Sequence, residues 1–370
     1  VTAEGRPADR SALRLGTRGS ALATTQTGMV ADALRRLAGL AADDLVQVRV
    51  RTDGDRLTGS LASLGGTGVF VAALREAVLD DRCDLAVHSL KDLPTAPAPG
   101  LVVAAVPERV DPRDALCARD GLTLATLPPG ARVGTGSPRR AAQLRALRPD
   151  LVVEDIRGNV DTRLGRVAGG AAGGPGAGGD LDAVVLAAAG LARLGRLSAV
   201  TDLLDPEHMA PAPGQGALAV ECRPELLEGA GPVAEALRAL DHLPTRLAVT
   251  AERTLLTVLE AGCAAPIGAL GSVERATGAA RHGAGQRLRL DAVVCAPDGA
   301  GQVRSSASVP LPAQREAQVA AARRLGEEVA RHLLLAGAAE LADLPGTLGP
   351  VDGGAPSVGA RAGRPGEDDA

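Results

Sequence analysis

The run Asp84-Leu85-Ala86-Val87-His88-Ser89-Leu90-Lys91-Asp92-Leu93-Pro94 sets a cation beside a carboxylate at the end of an apolar stretch. Lys91 is the one lysine in the chain, although Lys and Arg together number 40. Heavy use of Ala, Gly, Arg and Pro points to a compositional pressure that converts Lys to Arg. A lysine retained under it is either a chance survivor or a place where a compact, flexible ammonium differs from a planar fork, and the neighbouring carboxylate favours the second. Asp92 is the best-placed general acid–base: it can shuttle protons while the adjacent cation holds its pKa or the substrate. A simple turn aspartate has the same local sequence, and that reading wins if no arginine-rich site lies opposite. His88 reads as a neutral, satisfied histidine within a strand.

Arginines recur where strands turn into helices. Arg18 precedes Ser20 at one helix start, and Arg139 and Arg140 follow Thr135 and Ser137 at another. Arg157 ends a strand in Arg157-Gly158-Asn159, Arg163 lies about a helical turn further on, and Arg193 follows a later strand. A helix N-terminus exposes unpaired N–H groups and the positive end of a dipole. Guanidinium forks added there make a site for several carboxylates or phosphates. Ser20, Thr135 and Ser137 also serve as ordinary caps, and each arginine could pair with a surface acid. Repetition across two similar units favours the binding reading. Phosphate-loop motifs fit poorly: Gly134-x-Gly136 lacks the third glycine of a dinucleotide fingerprint, and Gly65-Gly66-Thr67-Gly68 lacks the Gly-Lys-Ser/Thr ending. Cys263, in Glu260-Ala261-Gly262-Cys263-Ala264-Ala265-Pro266-Ile267-Gly268, is accessible enough for covalent chemistry, although an inert buried thiol has the same local sequence.

The elements that must position these residues read as α/β from Leu13 onward, short β-like runs alternating with longer helical ones. A weak internal echo organises them. Arg14-Leu15-Gly16-Thr17-Arg18-Gly19-Ser20 opens one unit and Arg132-Val133-Gly134-Thr135-Gly136-Ser137 a second. Each reaches Asp-Leu-Val at a second strand (Asp44 and Asp150), then a third strand (Asp84 to Ser89 and Asp182 to Ala187). Matches in the same order imply two similar α/β domains. Beyond about Ala236 the character changes to a small α+β domain, with helices over His242 to Leu259 and Gln314 to Ala336 and strands at Ile267–Leu270 and Leu288–Cys295. Residues 1–11 read as frayed, Val167 to Asp180 as a Gly/Ala loop, Glu274 to Gln286 as a long hairpin or loop, and the Gly/Pro-rich end as a disordered tail.

With 370 residues and 45% apolar composition the chain can bury real cores. One Phe, no Trp and no Tyr mean that those cores are aliphatic and that base-stacking nucleic-acid readers are disfavoured. A net charge of −4 offers no global basic field. The cysteines Cys83, Cys117, Cys222, Cys263 and Cys295 lack metal-ligand spacing, so no metal site is expected, and they fit a reducing, cytoplasmic setting. No stretch reads as a signal peptide or a membrane span.

Together these motifs resemble the hydroxymethylbilane synthase (porphobilinogen deaminase) family over roughly residues 12 to 340. The resemblance rests on Arg18-x-Ser20-x-Leu22-Ala23-x-x-Gln26, His88 to Pro94, Gly134-Thr135-x-Ser137-x-Arg139-Arg140, Arg157-Gly158-Asn159-Val160-x-Thr162-Arg163, Pro213-Gly214-Gln215-Gly216-Ala217 and Glu260-x-Gly262-Cys263-x-x-Pro266-Ile267-Gly268. It implies two periplasmic-binding-protein-like (type II) α/β domains around a cleft plus a small α+β C-terminal domain. The first would comprise 12–108 and 216–236, the second 109–215 and the third 237–343, with 344–370 as the tail. It also implies a dipyrromethane cofactor in thioether linkage to Cys263, onto which four porphobilinogens are condensed head to tail with loss of ammonia. Water then releases linear hydroxymethylbilane.

Every pyrrole carries an acetate and a propionate, and the resemblance assigns Arg18, Arg139, Arg140, Arg157, Arg163 and Arg193 to these carboxylates. Lys91 would bind a cofactor carboxylate, with Ser20, Gln26, Ser89, Thr135 and Ser137 adding hydrogen bonds. Asp92 would protonate the leaving amine, stabilise the positive azafulvene and later take the α-carbon proton. The resemblance further implies a monomer that binds neither nucleic acid nor membrane and hands its product to the next pathway enzyme. Ser63 and Thr67 stand where family members commonly carry loop lysines, which bears on turnover rate more than on reaction type. Pro138, Ala141, Ala264-Ala265 and the Gly/Ala loop also depart from the usual pattern. The main rival reading is a soluble anion-binding or sensing module that uses the same cleft but neither Cys263 nor Asp92, and a second is a catalytically weak paralogue, given the altered loop.

Overall fold

Three sheets organise the protein in a computed structural model that describes residues 12–50, 68–169, 179–262, 265–275 and 285–345. The chain begins with β1 (Leu13–Thr17), α1 (Ala21–Ala38), β2 (Leu45–Arg49), α2 (Gly68–Leu79), β3 (Leu85–Ser89) and β4 (Val102–Ala105). Ser20 caps α1 by accepting from the Ala23 N–H, satisfying a donor the helix cannot. Gly39 ends it in the left-handed region (φ 64°), where its N–H reaches the Arg35 carbonyl. β3 is buried except at its last residue, Ser89, as a central strand covered on both faces requires.

The second group comprises β5 (Asp114–Ala118), β6 (Arg132–Thr135), α3 (Pro138–Leu147), β7 (Val152–Asp155), α4 (Val160–Leu164), β8 (Ala183–Ala187), α5 (Ala188–Arg193) and β9 (Asp202–Leu203). Ser137 caps α3 and Pro138 follows in its first turn, where a missing N–H costs nothing. The chain then recrosses to the first sheet as β10 (Leu218–Cys222), and α6 (Pro232–Leu240) packs on α1 with Leu237 in the core below.

The sheet orders are β2-β1-β3-β10-β4 and β7-β6-β8-β5-β9. In each, the first strand of the unit pairs in parallel with the second and third. In each, too, the third strand pairs antiparallel with a strand contributed from across an interdomain crossing, β10 in one case and β5 in the other. This shared order with an exchanged antiparallel strand is that of type II periplasmic-binding-protein-like domains, and it gives the sequence echo its structural meaning. Periodicity could not reveal the exchanged strands, because their partners lie far away in sequence.

The third layer holds α7 (Leu243–Val258), β11 (Ile267–Arg275), β12 (Gln286–Cys295), β13 (Gln302–Pro310), α8 (Arg315–Leu335) and α9 (Ala338–Ala342). The strands form an antiparallel meander in that order, and α7 and α8 pack against it through Leu255, Leu325, Val329 and Leu333. The helices approach closely at Gly326, where an added Cβ would sit 2.5 Å from the Ala251 carbonyl oxygen. β13 is an addition to the expected strands. Its residues alternate exposed with half-buried and are rich in Ser, so an edge strand with a solvated face left little apolar signal. The largest fully buried side chains are Leu, Ile and Met, as the aromatic shortage requires, and burying each contributes about 1.5–3 kcal/mol relative to exposure.

Candidate active site

The chemistry-bearing residues gather at the carboxyl ends of the parallel strands, which is where ligands bind in open α/β sheets. Arg18 follows β1, Lys91 and Asp92 follow β3, Ser137 follows β6, Arg157 follows β7, and Arg193 ends the helix after β8. Lys91 and Asp92 lie in a single 3-10 turn, Leu90–Asp92, which Leu93 closes by donating its N–H to the Leu90 carbonyl. α7 of the third layer grips the next residues: Arg253 Nη1 donates to the Leu93 carbonyl at 2.7 Å and Nη2 to that of Pro94 at 2.6 Å. The turn bearing the acid and the cation is therefore held from two layers.

Burial holds the Lys91 ammonium down at about 8, with Asp92 and Asp114 opposing the shift and Arg140 and Arg139 adding to it. Asp114, Arg139 and Arg140 belong to the second sheet and its helix α3, so Lys91 sits within electrostatic reach of the arginine pair across the two domains. At the first turn of α1, Leu22 lies near α5: a Cβ added at Gly190 would be 3.9 Å from Leu22 Cδ2.

Arg139 and Arg140 lie deeper than expected, at 3% and 5% exposed. Arg139 Nη1 donates to Asp114 Oδ2 at 2.7 Å and to the Ala210 carbonyl at 2.6 Å. Arg140 donates from Nε to Asp114 Oδ1 at 2.9 Å, from Nη1 to the Val185 carbonyl and from Nη2 to Gln215 Oε1. Burial alone would raise the Asp114 carboxyl, but the two arginines outweigh it and hold it well below the carboxylate range. For Arg139 burial wins and lowers the guanidinium despite Asp114. Part of the donor capacity expected for a ligand is thus already committed within the protein.

The remaining cations are more open. Arg163 donates Nε to the Gly158 carbonyl at 2.8 Å and is lowered by burial and then by Arg140 and Arg157. Arg157 is exposed and bonds Asp155 at 3.0 Å. Arg193 is lowered to about 10 by burial, and its Nη2 donates to the Gly216 carbonyl at 2.7 Å. Ser20 and Ser137 act as caps, accepting from Ala23 and Arg140 N–H groups. Thr135 is buried and its Oγ1 accepts from the Ser137 N–H at 3.3 Å, while Gln26 is buried in α1. Ser89 is half-buried at the end of β3. His88 is buried with Nε2 3.0 Å from Glu221 Oε2.

A group bearing several carboxylates suits these residues. Among the described residues, Nε of Arg139 and Nε of Arg193 are buried with no hydrogen-bond partner, a costly arrangement unless an acceptor joins them. Cys263 lies outside the described residues, between α7 and β11, as do Ser63, Thr67, residues 1–11, 170–178 and 276–284, and the tail from 346. Asp114, Gln215, Arg109 and Glu252 were not singled out from sequence for a role in the site. An acid opening a wholly buried strand, Asp114-Ala115-Leu116-Cys117-Ala118, was the available signal for the first of these.

Comparison with known proteins adds an independent line. Residues 13–228 match a family model described as porphobilinogen deaminase, dipyromethane cofactor binding domain, and residues 246–335 match the porphobilinogen deaminase C-terminal domain. The porphobilinogen deaminase of Cutibacterium acnes is 58% identical over 90% of this chain and 98% of its own. That of Leifsonia xyli is 55% identical over 92% and 98%, and porphobilinogen deaminase 1 of Streptomyces coelicolor is 51% identical over 89% and 97%. Among the described residues no helix is long and apolar enough to cross a membrane. The rival reading as a binding module gives way: the chain belongs to the porphobilinogen deaminase family, transferases of tetrapyrrole biosynthesis that polymerise porphobilinogen.

Proposed function

We propose that this chain joins four porphobilinogens head to tail on a dipyrromethane held by a thioether to Cys263, then releases linear hydroxymethylbilane by hydrolysis, working as a cytoplasmic monomer that passes its product onward. The observation that carries the reading is the placement of Lys91, next to Asp92 on the turn after β3 of the first sheet, within electrostatic reach of Arg139, Arg140 and Asp114 of the second. A reaction that adds two carboxylates per step needs cations on both sides of the growing chain.

The dipyrromethane, when bound, supplies the free α-carbon to which the first pyrrole is joined. Lys91 is proposed to hold one of its carboxylates, and Arg18, Arg139, Arg140, Arg157, Arg163 and Arg193 to bind carboxylates of the dipyrromethane and of the incoming or added pyrroles. Ser20, Gln26, Ser89, Thr135 and Ser137 contribute hydrogen bonds. Asp92 donates a proton to the departing amine of porphobilinogen, and its carboxylate then faces the cationic pyrrole that remains. The same carboxylate removes the α-carbon proton once the new bond has formed, which returns Asp92 to its starting state. The 3-10 turn held by Arg253 keeps this group in one place through repeated additions.

Intact mass of the purified protein beside a Cys263→Ser variant tests the proposal. A mass excess of two deaminated pyrroles in the wild type, absent from the variant, is expected. An unmodified wild-type chain after incubation with porphobilinogen would sink it.

A further inference from the structure

We infer that Asp114 is a positioning residue, one that sets the arginine pair in register with Lys91 and Asp92 across the two domains; this rests on the function proposed above. Asp114 is fully buried and opens β5 immediately after the chain first crosses between sheets. Its Oδ2 accepts from Arg139 Nη1 at 2.7 Å, and its Oδ1 accepts from Arg140 Nε at 2.9 Å and from Gln215 Nε2 at 2.8 Å. One carboxylate thereby bridges two guanidiniums carried on consecutive residues of α3.

Without that bridge the two cations would repel each other beside a helix N-terminus that is itself positive. With it, the forks are fixed and divided in role. Arg140 is occupied by Asp114, Gln215 and the Val185 carbonyl. Arg139 keeps a buried Nε without a partner among the described residues. The arrangement leaves the Nε of Arg139 as spare donor capacity for a carboxylate, while Arg140 is held in place by three protein acceptors.

Gln215 extends the register to the second crossing. Its Nε2 also donates to the Pro112 carbonyl at 2.7 Å, tying the two crossing segments together. Its neighbour Gly214 packs so closely on the active-site turn that an added Cβ would lie 3.1 Å from the Lys91 backbone nitrogen. Packed and hydrogen-bonded groups therefore run continuously from Lys91 through Gly214, Gln215 and Asp114 to the arginine pair. A carboxylate site assembled from two domains needs such a common anchor, because each domain alone fixes only half of it.

The test compares wild type, Asp114→Asn and Gln215→Met as purified holoproteins, reading intact mass, thermal midpoint, and kcat and KM for porphobilinogen. Asp114→Asn keeps the side-chain shape but removes the charge that gathers the two forks. It is expected to raise KM about tenfold or more while kcat stays within about threefold, since Asp92 is untouched. Gln215→Met, which changes no charge, is expected to move KM the same way by a smaller factor. Loss of the pyrrole mass from Asp114→Asn at a retained thermal midpoint supports the inference equally. A merely structural role would lower the thermal midpoint and leave KM alone. The inference is overturned by an active wild type whose folded Asp114→Asn keeps both its KM and its pyrrole mass, or, should that variant not fold, by an unchanged KM in Gln215→Met. A wild type with neither pyrrole mass nor product overturns the functional reading and this inference with it.

Discussion

Arg109 Nη1 donates to the fully buried Glu252 Oε1 at 2.6 Å, joining the first interdomain crossing to α7 of the third layer. The same carboxylate accepts from the Gly214 N–H at 2.6 Å, on the second crossing, and from the Gly271 N–H at 2.7 Å, on β11. Arg109 Nε in turn donates to the Gln215 carbonyl at 2.7 Å. One acid thus fastens both crossings to the domain whose α7–β11 connection contains Cys263.

Removing the charge of Glu252 should therefore destabilise the whole molecule. Glu252→Gln leaves Arg109 buried without its counter-ion and puts an amide N–H where a backbone donor needs an acceptor. The expected loss is about 3–5 kcal/mol by urea unfolding. A loss below about 1 kcal/mol would show that the arrangement relaxes easily and is not a fastening.

Asp92→Asn keeps the size of the proposed acid–base and removes its proton chemistry. Asp92 is half-buried in a turn held by backbone contacts and Arg253, so the fold should be retained. At saturating porphobilinogen kcat is expected to fall about 100-fold or more, with the thermal midpoint unchanged. Wild-type turnover in this variant would remove Asp92 from the mechanism.

Lys91 should impose an alkaline limb. Burial holds its ammonium at about 8 against an ordinary 10.5, so the free folded protein loses this proton near pH 8 while the unfolded chain keeps it. Between those values the unfolded state binds more protons, and the cost of burying the charge, present below pH 8, is relieved as pH rises. Cofactor capture runs the other way: the rate at which the cofactor-free protein acquires its pyrrole mass should decline as pH rises through about 8. In Lys91→Arg, which stays charged, that limb should move to higher pH. Superimposable pH profiles would exclude Lys91 as its origin.

Gly136 leaves room that the Ile156 carbonyl needs, beside Arg163. A Cβ there would lie 2.5 Å from the Ile156 carbonyl oxygen and 3.5 Å from Arg163 Nη2. Gly136→Ala must shift the backbone between β6 and α3, at a cost of about 1–3 kcal/mol, and should raise KM for porphobilinogen as Arg163 and Ser137 are displaced. A variant with normal KM would mean that this turn does not shape the site.

The α/β alternation, the paired units and the third domain were legible because the elements carry their own periods, and two of the helices their own caps: Ser20 before α1 and Ser137 before α3. Sequence reading also placed the arginines at strand ends, since a strand-to-helix turn is a local event. It did not find β13, whose solvated face has weak apolar alternation, nor the strands β4, β5, β9 and β10, nor the exchange of β5 and β10 between units, which no local pattern encodes.

The chain by itself determined which groups are available: one lysine beside Asp92, arginines after successive strands, and a cysteine in a small-residue turn. Backbone propensities and side-chain chemistry act over a few residues, so they can be read directly. Only the tertiary structure decided which groups are spent inside the protein. Arg139 and Arg140 meet Asp114, Arg109 meets Glu252, and His88 meets Glu221 across long sequence separations. Burial then settled the balance of charge: the attraction of paired ions grows as water is excluded, whereas for Lys91 the cost of burial outweighs the nearby carboxylates and pushes the ammonium toward neutrality. Both effects depend on where the folded chain places its neighbours.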